Sequence, residues 1–455
     1  MIRPGAVAHG LGGVTDLPVP AWLFYWGAAV VLVVSFVALG VLWRRPALGP
    51  AAAGRPLQAG LSALVLGPLR VAVQLVSVAL LALVWAAALV GDTEPLDNLA
   101  PTWIYVVFWL GVPLLSVLLG DVWRALSPWR ALADGFVWLR ERAGGAARPL
   151  AAYPEHLGRL PAALALFAFV ALELCYADAS SPRSLALAIG VYTYVALFGM
   201  AAFGRETWTA RGEGFAVLFG MFARLAPLSA ADGRLRARWP LTGLAGAERV
   251  PYTVAFFAVM LGSVLFDGYS RTTTWQDLLA RVEEPYVLDR PGVAEALVTG
   301  VNVLGLLTGI VLVGLAFLAA SAAAGLAVRA DRALVPEFVL SLVPIAFAYE
   351  VAHYFSLFVI QGQFAVPLLS DPLGRGWDVL GTADVTPDLG VLTPNTTWYV
   401  QAGALVVGHV AGLAVAHDRA VALFEEREAA LRSQYAMLAL MVLYTVGGLW
   451  VLSRG

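Results

Sequence analysis

Apolar runs of about twenty residues recur along the chain, broken by short polar segments rich in Arg, Pro and Gly. A run of that length is what an α-helix needs to cross a hydrocarbon core of about 30 Å. The pattern predicts ten spans, at 21–43, 69–90, 102–120, 160–178, 184–204, 251–268, 297–326, 337–360, 397–416 and 436–452. The fold class is therefore all-α, a polytopic membrane helix bundle of about ten transmembrane helices in one domain. The run at 297–326 exceeds one span and is expected to tilt or to project into the cytoplasm. Segments 121–159 and 205–249 mix aromatic residues with Arg and are expected to lie at the interface or to re-enter the bilayer. Segments 269–296 and 361–396, dense in Pro, Gly and Asp, are expected to be exported loops that cap a site opening outward.

Composition agrees with lipid as the main solvent: 60% of the 455 residues are hydrophobic and 13% charged, where a soluble domain carries about a quarter charged residues. The chain has no Lys, so all 29 basic residues are Arg. The loops after spans 1, 3, 5, 7 and 9 hold 22 of them, and the opposite loops hold seven amid Asp92, Glu94, Asp97, Glu283, Glu284, Asp371 and Asp378. The arginine-rich side is read as cytoplasmic, which with an even span count puts both termini outside, N-out and C-out. Lys-free usage rich in Ala, Gly, Arg and Leu suggests a GC-rich bacterial genome, and so a multi-pass protein of a bacterial cytoplasmic (inner) membrane. The lipid bilayer is the partner this predicts. The arginines flank membrane rather than forming a stripe for nucleic acid. The segment before span 1, with His9, is read as an exported leader on an uncleaved anchor. The single Cys175 excludes an intrachain disulfide and a cysteine metal cluster. Gly305 with Gly309 and Gly408 with Gly412 are spaced for close helix approach.

Ionisable residues inside spans are costly and usually functional. Glu350 and His353 are three apart in span 8, on one helix face, in the Glu-x-x-His spacing by which helical bundles present a carboxylate and an imidazole to a metal. Counting along the helices puts both about 20 Å from the cytoplasmic end, and His409 of span 9 about 16 Å from the outer end. Glu173 in span 4 and Asp267 at the end of span 6 fall in the outer half. One reading is a metal site of Glu350, His353 and His409, completed by Glu173 or Asp267; two imidazoles favour Zn, Fe or Cu over Mg. Another is a proton relay in a transporter, and a third is a set of mutually satisfied buried hydrogen bonds. One haem held by His353 and His409 is a lesser alternative. Phosphate loops of the Walker type, Gly-x-Ser-x-Gly and His-Glu-x-x-His are all missing from the sequence.

The strings AHGLGGVTDLPVPAWLF, GDVWRALSPWRAL, SVLFDGYSRT, VAHYFSLFVIQGQ, VVGHVAGLAVAHDRA and SQYAMLALMVLYTVGGLW resemble those of a bacterial membrane-protein family, frequent in actinobacteria, called fenitrothion hydrolase. The resemblance runs from the leader to the last span, and the name implies hydrolysis of an organophosphate triester. A metal on imidazole and carboxylate would polarise the phosphoryl oxygen and lower the pKa of bound water. On that expectation Glu350, His353 and His409 are ligands and Glu173 or Asp267 orients the water. An apolar small-molecule substrate would arrive from lipid past Tyr354, Phe355 and Phe358. The rivals are a permease or metal-ion handling protein using the same residues, and a structural subunit of a membrane complex.

Overall fold

The computed structural model describes residues 21–145 and 148–452; the leader with His9 and the last three residues lie outside the described residues. Among the described residues nine helices are long and apolar enough to cross a membrane. With Leu160–Cys175 they give ten crossings. In order these are Ala21–Leu42, Ala59–Val90, Leu99–Leu119, Leu160–Cys175, Pro182–Phe203, Thr253–Ser270, Pro291–Val328, Leu342–Gln361, Pro394–Leu423 and Tyr435–Leu452. The fourth, with 16 residues, is only about 24 Å long. Even so it joins the two ends of the bundle. Arg159, just before it, donates its backbone N–H to Pro251 O (2.9 Å), and Ala179, just after it, accepts from Tyr105 Oη (2.9 Å).

The loops after the odd-numbered crossings meet at one end. Strand β1 (Arg55–Pro56), in the loop after the first crossing, pairs antiparallel with a hairpin from the loop after the fifth, β2 (Leu228–Ala231) and β3 (Arg234–Ala237). Arg249 and Arg419 both reach Glu337, at 2.7 and 2.5 Å. Asp418, at the end of the ninth crossing, accepts from Trp43 Nε1 (3.0 Å), Ala47 N (2.6 Å) and Leu48 N (3.2 Å). Its neighbour His417 bridges Trp43 O (3.0 Å) and the Gln434 side chain (3.1 Å). These buried polar groups have partners, and they fasten the first, ninth and tenth crossings together. The opposite end gathers the other loops, as where Asp92 N donates to Leu373 O (3.0 Å) and Arg375 to Val90 O (3.2 Å). The two sides separated by arginine counting are thus two physical ends of the bundle. A reporter that works only outside the cytoplasm should be silent when fused after Arg236 or Arg332 and active after Gly381; the inverse pattern would overturn the orientation.

Helix packing follows the glycines. A Cβ at Gly412 would lie 2.8 Å from Ser341 O, and one at Gly305 would meet Phe266 and Trp275 at 2.5 Å. Gly262, on the sixth crossing, sits across from Gly309: its Cβ would be 2.5 Å from Ile310 Cα and 3.0 Å from the Gly309 carbonyl carbon.

Several segments differ from their expected form. The seventh crossing carries its surplus length at the arginine-poor end rather than into the cytoplasm. It starts at Pro291, and Trp275 of the amphipathic helix Thr273–Glu283 donates to Asn302 (3.0 Å) beside it. That helix occupies much of a segment expected as loop. In 121–159, Trp123 and Trp129 are buried while Phe136, Trp138 and Leu139 are exposed, so only the later part presents an apolar face outward. The helix Gly214–Phe222 is largely buried, its first N–H groups capped by Glu213, which accepts from Phe215 N (3.1 Å) and Ala216 N (2.8 Å).

Candidate functional site

The eighth crossing is the scaffold of the site. Its helical repeat puts Glu350, His353 and Tyr354 within one turn of each other. The sixth crossing brings Asp267 in its last turn, with Arg271 one turn further on as the C-cap residue, where a cation also suits the helix dipole.

His353 Nε2 lies 2.5 Å from Asp267 Oδ2, and the other carboxylate oxygen accepts from Arg271 Nη2 (2.8 Å). Tyr354 Oη approaches Oδ2 at 3.5 Å. With donors on both oxygens Asp267 acts as acceptor on both sides. The His353 nitrogen facing it is therefore the donor, and Nδ1 is the imidazole atom left for other chemistry. Asp267 is buried, and the Arg271 side chain, 28% exposed, links the pair to the arginine-poor surface.

Two more carboxylates stand behind this pair. Glu350 is 3% exposed, and among the described residues neither of its oxygens has a hydrogen-bond partner. It lies within electrostatic reach of Glu173, whose Oε2 is buried and also without a partner. Glu173 in turn feels Asp267 and Arg271, and Tyr354 feels all four charged groups. Third-crossing Tyr105 is coupled to Glu173 as well. The third crossing is π-helical from Trp103 to Gly111, the wider winding that concentrates at functional sites. It runs beside the eighth: a Cβ on Gly111 would be 3.6 Å from Phe358, and one on Gly362 3.8 Å from Val106.

His409 stands apart. It is fully buried, its Nδ1 donates to Leu405 O one turn back (2.8 Å), and its ring meets the edge of Tyr349 at 5.8 Å. Tyr349 is about 100° around the eighth helix from Glu350. The sequence joined Glu350, His353 and His409 as ligands of one ion. Among the described residues no three His, Cys, Asp or Glu side chains are grouped to hold a metal. Each imidazole is held through one nitrogen by a different neighbour, His353 Nε2 by Asp267 and His409 Nδ1 by Leu405 O, with the His409 ring against Tyr349, so the two rings are not drawn to a shared point with Glu350. As arranged, Glu350, His353 and His409 do not present three ligands to one Zn, Fe or Cu ion. The chain matches no protein-family model, no curated protein and no solved structure.

Four of the five expected residues, Glu173, Asp267, Glu350 and His353, thus belong to one buried polar cluster. Tyr354, expected in the wall of a substrate path, has its hydroxyl in that cluster instead. Arg271 and Tyr105 were not singled out beforehand. The i,i+4 spacing of Asp267 and Arg271 was a usable signal for the first; nothing in the sequence marked the second.

Proposed function

We propose that this multi-pass membrane protein takes up and passes protons at the Glu173, Glu350, Asp267 and His353 cluster, as the proton-handling site of a membrane transporter. The observation that carries this reading is Glu350, a carboxylate enclosed between crossings with neither oxygen hydrogen-bonded among the described residues and a second carboxylate within electrostatic reach. Such a group is costly unless it carries a proton, and one proton shared among neighbouring carboxylates is mobile. His353 can exchange a proton at Nδ1 while Asp267 holds its other nitrogen. Arg271 connects the cluster to the arginine-poor face. The test is reconstitution into sealed vesicles under an imposed pH gradient, read with an internal pH dye. Flux well above that of empty vesicles is expected, with Glu350→Gln and Asp267→Asn each lowering it at least about tenfold, the loss that follows from about 1.4 kcal/mol of barrier. Wild-type flux equal to that of empty vesicles would overturn the reading.

A second reading has its own observation. The 2.5 Å Asp267–His353 contact has the geometry of a base and its orienter, which hydrolytic sites use, and this supports the triester hydrolysis that the fenitrothion hydrolase resemblance implies. An enzyme of that kind turns over an organophosphate ester in detergent, without a sealed compartment, and loses that turnover in His353→Ala.

A further inference from the structure

Most arginines buried or half-buried at the arginine-rich end sit on carboxylates: Arg70 and Arg205 on Asp134, Arg130 on Glu206, Arg211 on Glu248, Arg236 on Asp232 and Arg419 on Glu337. Three do not. Arg159 is 4% exposed; its Nη1 donates to Thr253 Oγ1 (2.8 Å), and its buried Nε has no partner among the described residues. Arg224 donates to Gly243 O (3.1 Å). Arg238 donates through Nε to Ala226 O (3.0 Å) and through Nη2 to Ala223 O (2.9 Å). Hydroxyl and carbonyl groups orient a guanidinium without offsetting its charge.

Arg224 stands between the other two in its electrostatic effect. Arg224 and Arg238 converge on Gly243, where a Cβ would lie 2.5 Å from the Arg238 guanidinium carbon and 2.6 Å from Arg224 O. Arg224 acts electrostatically on both Arg159 and Arg238. Burial first, and Arg224 next, pull Arg159 down to about 10, which still leaves it charged at neutral pH. The anions facing the group are Asp121 and Glu248, and Glu248 is already paired with Arg211 (2.9 Å). Positive charge is left in excess. Trp239, beside Arg238, and Tyr252, beside the Thr253 that holds Arg159, are 76% and 47% exposed. Exposed Trp and Tyr at a span boundary mark the headgroup level of a bilayer.

We propose that Arg159, Arg224 and Arg238 form a binding site for a phosphate group, supplied either by an anionic phospholipid headgroup or by a free phosphate. Planar guanidinium groups match phosphate oxygens, and a phosphate would supply the negative charge that this cluster lacks; basic clusters on the cytoplasmic side of helix bundles take anionic headgroups. The full chain, purified in detergent, is tested by thermal unfolding with three separate additions: phosphatidylglycerol, phosphatidylcholine and inorganic phosphate. Phosphatidylglycerol should raise the unfolding temperature by several degrees over phosphatidylcholine, and Arg224→Gln, which keeps an amide donor for Gly243 O, should abolish the difference. A rise with inorganic phosphate that disappears in Arg224→Gln, and none with phosphatidylglycerol, supports the site and assigns it to free phosphate. Arg238→Gln repeats the comparison should Arg224→Gln fail to fold. If wild type and charge-removed variant respond alike to every addition, the proposal is wrong.

Discussion

Gly408→Val is expected to unseat the ninth crossing from the eighth. A Cβ at Gly408 would lie 2.1 Å from the Cβ of Ala348 and 2.9 Å from Pro344 O, so the added atoms meet backbone and a near-backbone methyl rather than a flexible side chain. The helices would have to separate along their shared face and lose the dispersion contacts that hold membrane helices together. Overpacking in a core typically costs about 1–3 kcal/mol, and with the rigid atoms of Pro344 and Ala348 in the way the expected loss is about 3 kcal/mol. Unfolding midpoints in mixed detergent would measure it. Gly403→Val, on the same helix with nothing within 4 Å of the new Cβ, is the control and should change little. Equal midpoints for the two variants would show that the helices do not meet at Gly408.

Glu350→Leu should do the opposite to stability while removing function. A buried polar group without a partner costs about 1–3 kcal/mol, and Leu fills nearly the same volume without that cost. The variant should therefore unfold at a higher detergent fraction or temperature than wild type, by about 1–3 kcal/mol, and should show vesicle proton flux no higher than empty vesicles. Stability bought this way at the expense of activity is the ordinary relation between a strained site and its scaffold. A less stable Glu350→Leu would identify Glu350 as a structural group with a partner of its own, and a stable variant with full flux would remove it from the proton path.

Much of the architecture was legible because the signals are local. Twenty apolar residues, an Arg cluster after every second run and a glycine four residues from another each report one physical requirement of a helix in lipid. The site was legible only in part. Helical spacing says that Glu350 and His353 share a face, and that is all it says. Which groups wait opposite depends on how the sixth and ninth crossings pack, and there Asp267 reaches His353 while His409 turns to Leu405 and Tyr349. The buried Gly214–Phe222 helix escaped for a similar reason, since its composition suits the interface and the interior equally. The 16-residue fourth crossing was found by its apolar run although it falls below the length of an ordinary span.

The latch of Asp418 and His417 on Trp43 has a consequence for biosynthesis. Its two halves are 375 residues apart in sequence. At 5–20 residues per second the ribosome needs about 20–75 s to make the second half after the first. Through that interval the helix Ala21–Leu42 has neither the ninth nor the tenth crossing to lean on and must stay in the bilayer by its own partitioning. Its sequence is suited to that: the span Tyr25–Leu42 has a mean hydropathy of 2.3, and only 22% of it lies buried inside the finished bundle. Its docking is therefore a late event in assembly, closing around a helix that was inserted long before.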